Sequence, residues 1–166
     1  MGLKIHIHDL KVQKCAELKG SIVIMPSELE LPEMRGVEWH PWSLEYRLTK
    51  AGNLFLLSGE LKAPVSLECS RCLKPTDTEL NIEVNEQFSN QELEDDEIHV
   101  FRGDDLDLTG VLRDSILLSL PEKPLCSPEC RGLCPYCGTD RNLHNCTCAP
   151  RETDPRLAVL EKLIRK

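Results

Sequence analysis

Residues 54–88 read LFLLSGELKAPVSLECSRCLKPTDTELNIEVNEQF, and this stretch decides the fold. From Phe55 the odd positions run Phe55, Leu57, Gly59, Leu61, Ala63, Val65, Leu67 and Cys69, with Glu60, Lys62, Ser66 and Glu68 between them. Side chains of a strand alternate between faces, so this period of two predicts one long, half-buried strand. Pro64 has no N–H to give to a ladder, which predicts an edge position or a bulge there. Cys69-Ser70-Arg71-Cys72 then reverses the chain. After Pro75 a second strand follows, with Leu80, Ile82, Val84 and Phe88 on one face.

Working outward, Leu44, Tyr46 and Leu48 alternate with Glu45 and Arg47, and 50–53 form a turn into the long strand. Residues 3–12 and 20–25 read as strands. Residues 26–42 hold three prolines and both tryptophans and read as irregular, and 98–101 as a short strand. Asp107 is a helix N-cap. Leu108, Leu112, Ile116 and Leu120 recur every four residues, with Val111 and Leu118 beside them, and Pro121 stops the helix, placed over 108–120. Asp154 and Pro155 signal a last helix with Leu157, Leu160 and Ile164 on its apolar side. The expected class is α+β: an antiparallel meander packed by a helix, then a Cys-rich segment and a short C-terminal helix. The expected parts are 1–121 and 122–166, packed as one unit.

The chain has 166 residues, 40% of them hydrophobic and only 4% aromatic, so a core of Leu, Val and Ile is within reach. No apolar run approaches the roughly 18–20 residues of a membrane span. The first residues, MGLKIHIHDLKV, alternate and contain no apolar leader core. The formal net charge of −8 argues against nucleic-acid binding driven by bulk charge. The acidic excess is concentrated in 91–125, which suggests a basic partner.

Nine cysteines are present, and eight fall in close pairs: Cys69/Cys72, Cys126/Cys130, Cys134/Cys137 and Cys146/Cys148. Without an export signal, such pairs favour metal ligation in the reducing cytoplasm over disulfides. Cys134-Pro135-Tyr136-Cys137-Gly138 has the form of a zinc knuckle: proline presets the turn and glycine lets the chain reverse. Cys146 and Cys148 complete four sulfurs around one zinc ion. The remaining pairs, Cys69, Cys72, Cys126 and Cys130, are expected to form a second site pinning the hairpin to the segment after the helix. Two rivals stay open: a single site drawn from Cys126, Cys130, Cys134 and Cys137, and a site that uses His144. One or two structural zinc ions are therefore expected.

A Cys-x-x-Cys oxidoreductase places its first cysteine at a helix N-terminus after a strand, whereas Cys69 and Cys72 lie between two antiparallel strands. Asp104, Asp105 and Asp107 are explained by helix capping, and Cys15 as a buried residue. Arg131, Arg141, Arg151 and Arg156 are either solvated charge or an RNA-phosphate contact. No phosphate-cradling loop or nucleophile elbow occurs, and no enzyme activity is expected.

These residues resemble the YceD family, the large ribosomal RNA subunit accumulation proteins. The resemblance rests on Cys69-Ser70-Arg71-Cys72-Leu73-Lys74-Pro75, on Ile116-Leu117-Leu118-Ser119-Leu120-Pro121, and on Cys130-Arg131-Gly132-Leu133-Cys134-Pro135-Tyr136-Cys137-Gly138. Asn142, Cys146-Thr147-Cys148 and Asp154-Pro155-Arg156-Leu157 continue it. It covers roughly 44–166. It implies a role in accumulation or processing of 23S rRNA and assembly of the large subunit. The implied partner is that RNA, or a basic ribosomal protein of a pre-ribosomal particle. An RNA-binding module is the alternative, and a thiol oxidoreductase using Cys69 and Cys72 is the third reading.

Overall fold

The computed structural model describes residues 3–12, 15–92 and 97–148. The expected C-terminal helix at 154–164, and Arg151 and Arg156 with it, lie outside the described residues. The strands are β1 (Lys4–His6), β2 (Glu17–Ile24), β3 (Val37–Trp39), β4 (Trp42–Ala51), β5 (Leu54–Glu68), β6 (Pro75–Ser89), β7 (Ile98–Val100) and β8 (Asp105–Asp107). The helices are α1 (His8–Lys11) and α2 (Thr109–Ser119). The class is α+β, as the alternation in 54–88 and the stripe from Leu108 predict.

β5 and β6 form a hairpin of two 15-residue strands, in register from Leu54 opposite Ser89 to Glu68 opposite Pro75. Every odd position of β5 except Gly59 is buried, through to Cys69 beyond its end. β4 pairs with the first part of β5 and β2 with β4, both antiparallel. β7 is parallel to β6, so the meander ends in a mixed edge. β3 lies beside β5 on the same side as β4, and the switch between them occurs at Pro64. Between the pairs Trp39–Val65 and Ser43–Lys62, residues 40–42 face only 63–64, so one extra residue forms a bulge. The Pro64 carbonyl accepts from the His40 amide at 3.4 Å. A residue's amide and carbonyl point to the same side of an antiparallel strand, so the missing N–H of Pro64 also points into the bulge, where no ladder bond is lost. Trp39 and Trp42 meet edge to face across it at 5.6 Å, so the segment expected to be irregular holds β3 and the start of β4.

Among the described residues, one face of the sheet is covered. Leu44, Leu48, Phe55, Leu57, Leu61, Ile82, Val84 and Phe88 join Ile5, Ile7, Leu10, Leu106, Leu112 and Ile116 in one core. α2 lies against β6, and each fully buried Leu or Ile on it contributes roughly 1.5–3 kcal/mol. Leu118 does not belong to that stripe: it is 86% exposed. At 100° per residue it stands about 200° from Ile116. Residues 3–12 are not one strand but β1 followed by α1, and β1 pairs with β8, a hundred residues away. The N-cap of α2 is Leu108, one residue later than the expected Asp107, and it has no side-chain cap; the Asp107 carboxylate, just before it, accepts from the Thr109 amide at 2.9 Å. Asp104 pairs with Lys11 at 2.7 Å and His8 at 2.9 Å, and the two hold its carboxyl at about 2. Asp105 pairs with His6 at 2.9 Å. The three aspartates thus tie α1, β1 and α2 together.

Candidate metal centre

The β5–β6 hairpin ends in a turn built for sulfur. The Cys69 amide donates to the Lys74 carbonyl at 2.8 Å, and the Leu73 amide to the Cys69 carbonyl at 2.9 Å. Leu73 closes the turn at φ +61, a left-handed conformation that usually calls for glycine. The tip then grips the segment after α2. The Ser70 amide donates to Pro124 O, the Leu133 amide to Arg71 O, and the Arg71 guanidinium to the carbonyls of Cys130 and Pro128. Gly132 is required at this crossing, since a Cβ there would lie 2.8 Å from Arg71 O.

This grip brings four sulfurs together. Cys72 Sγ and Cys126 Sγ are 3.5 Å apart and Cys69 Sγ and Cys130 Sγ 3.8 Å, and all four lie within 4.8 Å of one another. A tetrahedral thiolate shell with metal–sulfur bonds near 2.3 Å separates its sulfurs by about 3.8 Å, so the spacing suits one metal ion. It is far too long for a disulfide, and all nine cysteines are free. Cys69, Cys72 and Cys130 are buried with Leu125 and Leu133 packed around them, and Cys126 is exposed.

Main-chain amides aim at these sulfurs. The Cys126 amide, ahead of those of Arg71 and Cys72, brings the Cys69 thiol down to about 6 against the effect of burial. The neighbouring Cys72 and Cys130 sulfurs, together with burial, push Cys126 up to about 12. Burial opposes ionisation of Cys130, but the Gly132 amide and the Asn142 side chain outweigh it. Four thiols sharing so small a space cannot all ionise alone, and a cation is what allows it.

The second group repeats the turn. In Cys134-Pro135-Tyr136-Cys137-Gly138 the Gly138 amide donates to the Cys134 carbonyl at 2.9 Å, with Gly138 at φ +73. Cys134, Cys137, Cys146 and Cys148 place their sulfurs within 4.8 Å of one another. Cys134 is buried, Cys146 half-buried, and Cys137 and Cys148 are exposed. The Thr139 hydroxyl, 3.2 Å from Cys137 Sγ and placed to donate to a thiolate, leads the effects that bring Cys137 down to about 6. Cys148 is pushed up to about 12, chiefly by Cys137.

Of the arrangements left open by the spacing, Cys126 and Cys130 therefore sit with the hairpin cysteines, not with Cys134 and Cys137. His144 belongs to neither group; its amide donates to Asp140 O. Cys15 packs half-buried against the main core. The residues that join the groups were not visible in the cysteine spacing. Lys74 on the hairpin pairs with Asp140 at 2.9 Å. Asp140 accepts from the amide and side chain of Asn142. Asn142 in turn donates to Cys130 Sγ at 3.4 Å and accepts from the Arg131 amide at 2.7 Å. The cysteine spacing does not mark this bridge, because Lys74–Asp140 and Asn142–Cys130 are brought together by the fold, while only Asp140–Asn142 is local.

The chain is similar to several known proteins. A profile described as large ribosomal RNA subunit accumulation protein YceD matches residues 57–164, a span that contains both cysteine groups. An uncharacterized protein of Mycobacterium tuberculosis is 33% identical over 101 residues, covering 57% of this chain and 49% of its own. The uncharacterized protein YlbN of Bacillus subtilis is 33% identical over 116 residues, covering 68% and 65%. A maize protein named large ribosomal RNA subunit accumulation protein YCED homolog 1, chloroplastic, is 39% identical over 59 residues, 34% of this chain and 20% of its own. The chain spans about half the length of the mycobacterial relatives it matches. No solved structure matches. With 57–164 covered, the chain belongs to the YceD family of large ribosomal RNA subunit accumulation proteins.

Proposed function

We propose that the chain is a non-enzymatic factor that promotes accumulation or processing of 23S rRNA during assembly of the large ribosomal subunit in the cytoplasm, with zinc in a structural role at two four-cysteine sites. The observation that carries this is the family match across 57–164. Cys69, Cys72, Cys126 and Cys130 would hold one zinc ion, and Cys134, Cys137, Cys146 and Cys148 the other. Four cysteine sulfurs at tetrahedral spacing are the donor set of closed structural zinc, which leaves no position for a reacting water. When bound, zinc supplies charge balance and crosslinks; the residues themselves shape the surface. The thiol oxidoreductase reading is disfavoured, because Cys69 and Cys72 face Cys130 and Cys126 at metal-shell spacing on a strand hairpin.

Charge favours a protein partner over RNA. The chain carries −8, and two zinc sites of four thiolates each bring it to about −12. A basic ribosomal protein of the pre-ribosomal particle suits that balance. The exposed Arg131 and Arg141 support the second reading, a direct RNA contact. Cells lacking the chain should show a lowered 23S to 16S rRNA ratio, restored by the wild-type gene, and the protein should co-sediment with immature large subunits. An unchanged ratio with no co-sedimentation would sink the proposal. Crosslinks from those particles separate the partners, and steep salt dependence of RNA retention would favour the second reading.

A further inference from the structure

The two cysteine groups meet an oxidant unequally. A disulfide needs a sulfur that the oxidant reaches and a second sulfur free to close on it, to about 2 Å. In the hairpin group Cys126 is exposed, but its neighbour Cys72, 3.5 Å away, is only 5% exposed. Bonding these two would draw the hairpin tip further onto the segment after α2. That approach is already fixed by the Ser70 amide on Pro124 O at 2.8 Å, the Leu133 amide on Arg71 O at 2.9 Å, and the Arg71 guanidinium on Cys130 O at 2.8 Å. Leu125 and Leu133 pack against the buried sulfurs, so they have little room to move.

The group at 134–148 is built the other way. Cys137 and Cys148 are both exposed, and their sulfurs lie within 4.8 Å of one another. Neither residue belongs to a strand or helix, so their closure disturbs no sheet pairing. Cys134 is buried and Cys146 half-buried, which leaves Cys137 and Cys148 as the reachable pair. The Thr139 hydroxyl, 3.2 Å from Cys137 Sγ, is placed to hold that sulfur at the surface. The contacts that tie this loop to the rest of the fold are Gly132 against Arg71, Asp140 with Lys74, and Asn142 with Cys130. None of them involves Cys137 or Cys148.

We propose that Cys137 and Cys148 form an oxidation site: hydrogen peroxide converts them to a disulfide, and the 134–148 group gives up its zinc while the hairpin group keeps its own. The Cys137 thiolate attacks one peroxide oxygen. An S–O bond forms, the O–O bond breaks, and hydroxide leaves. The Cys148 thiolate then attacks the sulfenic sulfur of Cys137. The S–S bond forms, the S–O bond breaks, and a second hydroxide leaves. Two protons from solvent convert both hydroxides to water, so two thiolates lose two electrons and one peroxide gains them. Cys134 and Cys146 remain as two donors, too few for a closed zinc site. The sheet and the hairpin group are untouched, so oxidation reshapes the knuckle alone. This inference rests on the structural-zinc reading above and deepens it.

The test uses the full chain, isolated under reducing conditions with its metal, and hydrogen peroxide with a chromogenic zinc indicator. One zinc per chain should appear, with the second retained and Tm lowered by only a few degrees. Peptide mapping should find the Cys137–Cys148 disulfide, and dithiothreitol with added zinc should reverse both changes. Cys148→His keeps a fourth ligand for zinc but removes the thiol that closes the disulfide. It should hold two zinc ions and release the first at least about tenfold more slowly under peroxide. Release of both ions together, release of neither, a disulfide between other cysteines, or equally fast release from Cys148→His would each overturn the inference. Failure of the zinc reading shows earlier and separately, as a reduced chain that carries no zinc before peroxide is added, and it would take this inference with it.

Discussion

The two cysteine groups share a turn and differ in what they join. In both, the amide four residues on closes onto the carbonyl of the first cysteine at 2.9 Å, and the residue after the second cysteine is left-handed. The hairpin group draws its sulfurs from positions 54 and 61 residues apart across its two close contacts, and three of its four cysteines are buried. The other group lies wholly within 134–148, with two of its cysteines exposed. The same chemistry therefore does unequal structural work. Closing a long loop removes more freedom from the unfolded chain than closing a short one, so the first group should stabilise the fold and the second only its own loop.

Removing a ligand from each group tests this contrast most severely. Cys69→Ser should leave one zinc per chain where wild type holds two, and lower Tm by about 10 °C or more. Two equivalents retained, or an unmoved Tm, would break the comparison. Cys137→Ser should lose the other equivalent while Tm falls by only a few degrees. In wild type, a colorimetric chelator should take one zinc fast, from the exposed group, and the second only as the hairpin group opens. A single release phase would show that the two groups open together.

The difference in reach also explains what was legible beforehand. The odd positions from Phe55 to Cys69 specify the hairpin locally, and the knuckle at Cys134 is contiguous, so both could be read directly. Cys126 and Cys130 could complete a count of four either with the hairpin or with Cys134 and Cys137, and only the fold decides for the hairpin. The strand β1 was harder. Leu3, Ile5 and Ile7 alternate, but Leu10 falls three after Ile7, inside a short helix that begins at His8, and pairing with Asp105–Asp107 leaves no local mark. Leu118 could have been placed correctly, since its helical angle already turns it from Ile116. Asn142 could not be read from spacing, because its partner Cys130 is reached through the fold.

Asn142 is also where the two groups touch, so it sharpens the comparison at intermediate cost. It sits in the loop of the exposed group yet donates to a sulfur of the buried one. Asn142→Ala removes that donor and the acceptor for the Arg131 amide. Loss of such an outer hydrogen bond typically weakens metal affinity ten- to a hundredfold. The expected result is about tenfold weaker zinc binding in the slow chelator phase, with the fast phase unaltered. A change confined to the fast phase would mean that Asn142 serves its own loop.

The smallest effects come from exchanging the residues that close the two turns. Leu73 adopts φ +61 with its side chain 59% exposed, whereas the equivalent Gly138 adopts φ +73. A left-handed backbone costs a branched residue about 1 kcal/mol, and glycine nothing comparable. Glycine also loses more freedom on folding, which offsets part of the gain. Leu73→Gly should therefore raise stability by no more than about 1 kcal/mol in denaturant titrations, acting on the whole fold because its turn anchors the long-range group. Gly138→Ala introduces the strain that Leu73 already bears, at about 1 kcal/mol, but in a turn whose opening does not unfold the sheet. Its expected signature is faster release of the exposed zinc with an unchanged midpoint. If Gly138→Ala moves the global midpoint as far as Leu73→Gly does, the two turns are energetically equivalent and reach is not what separates the groups.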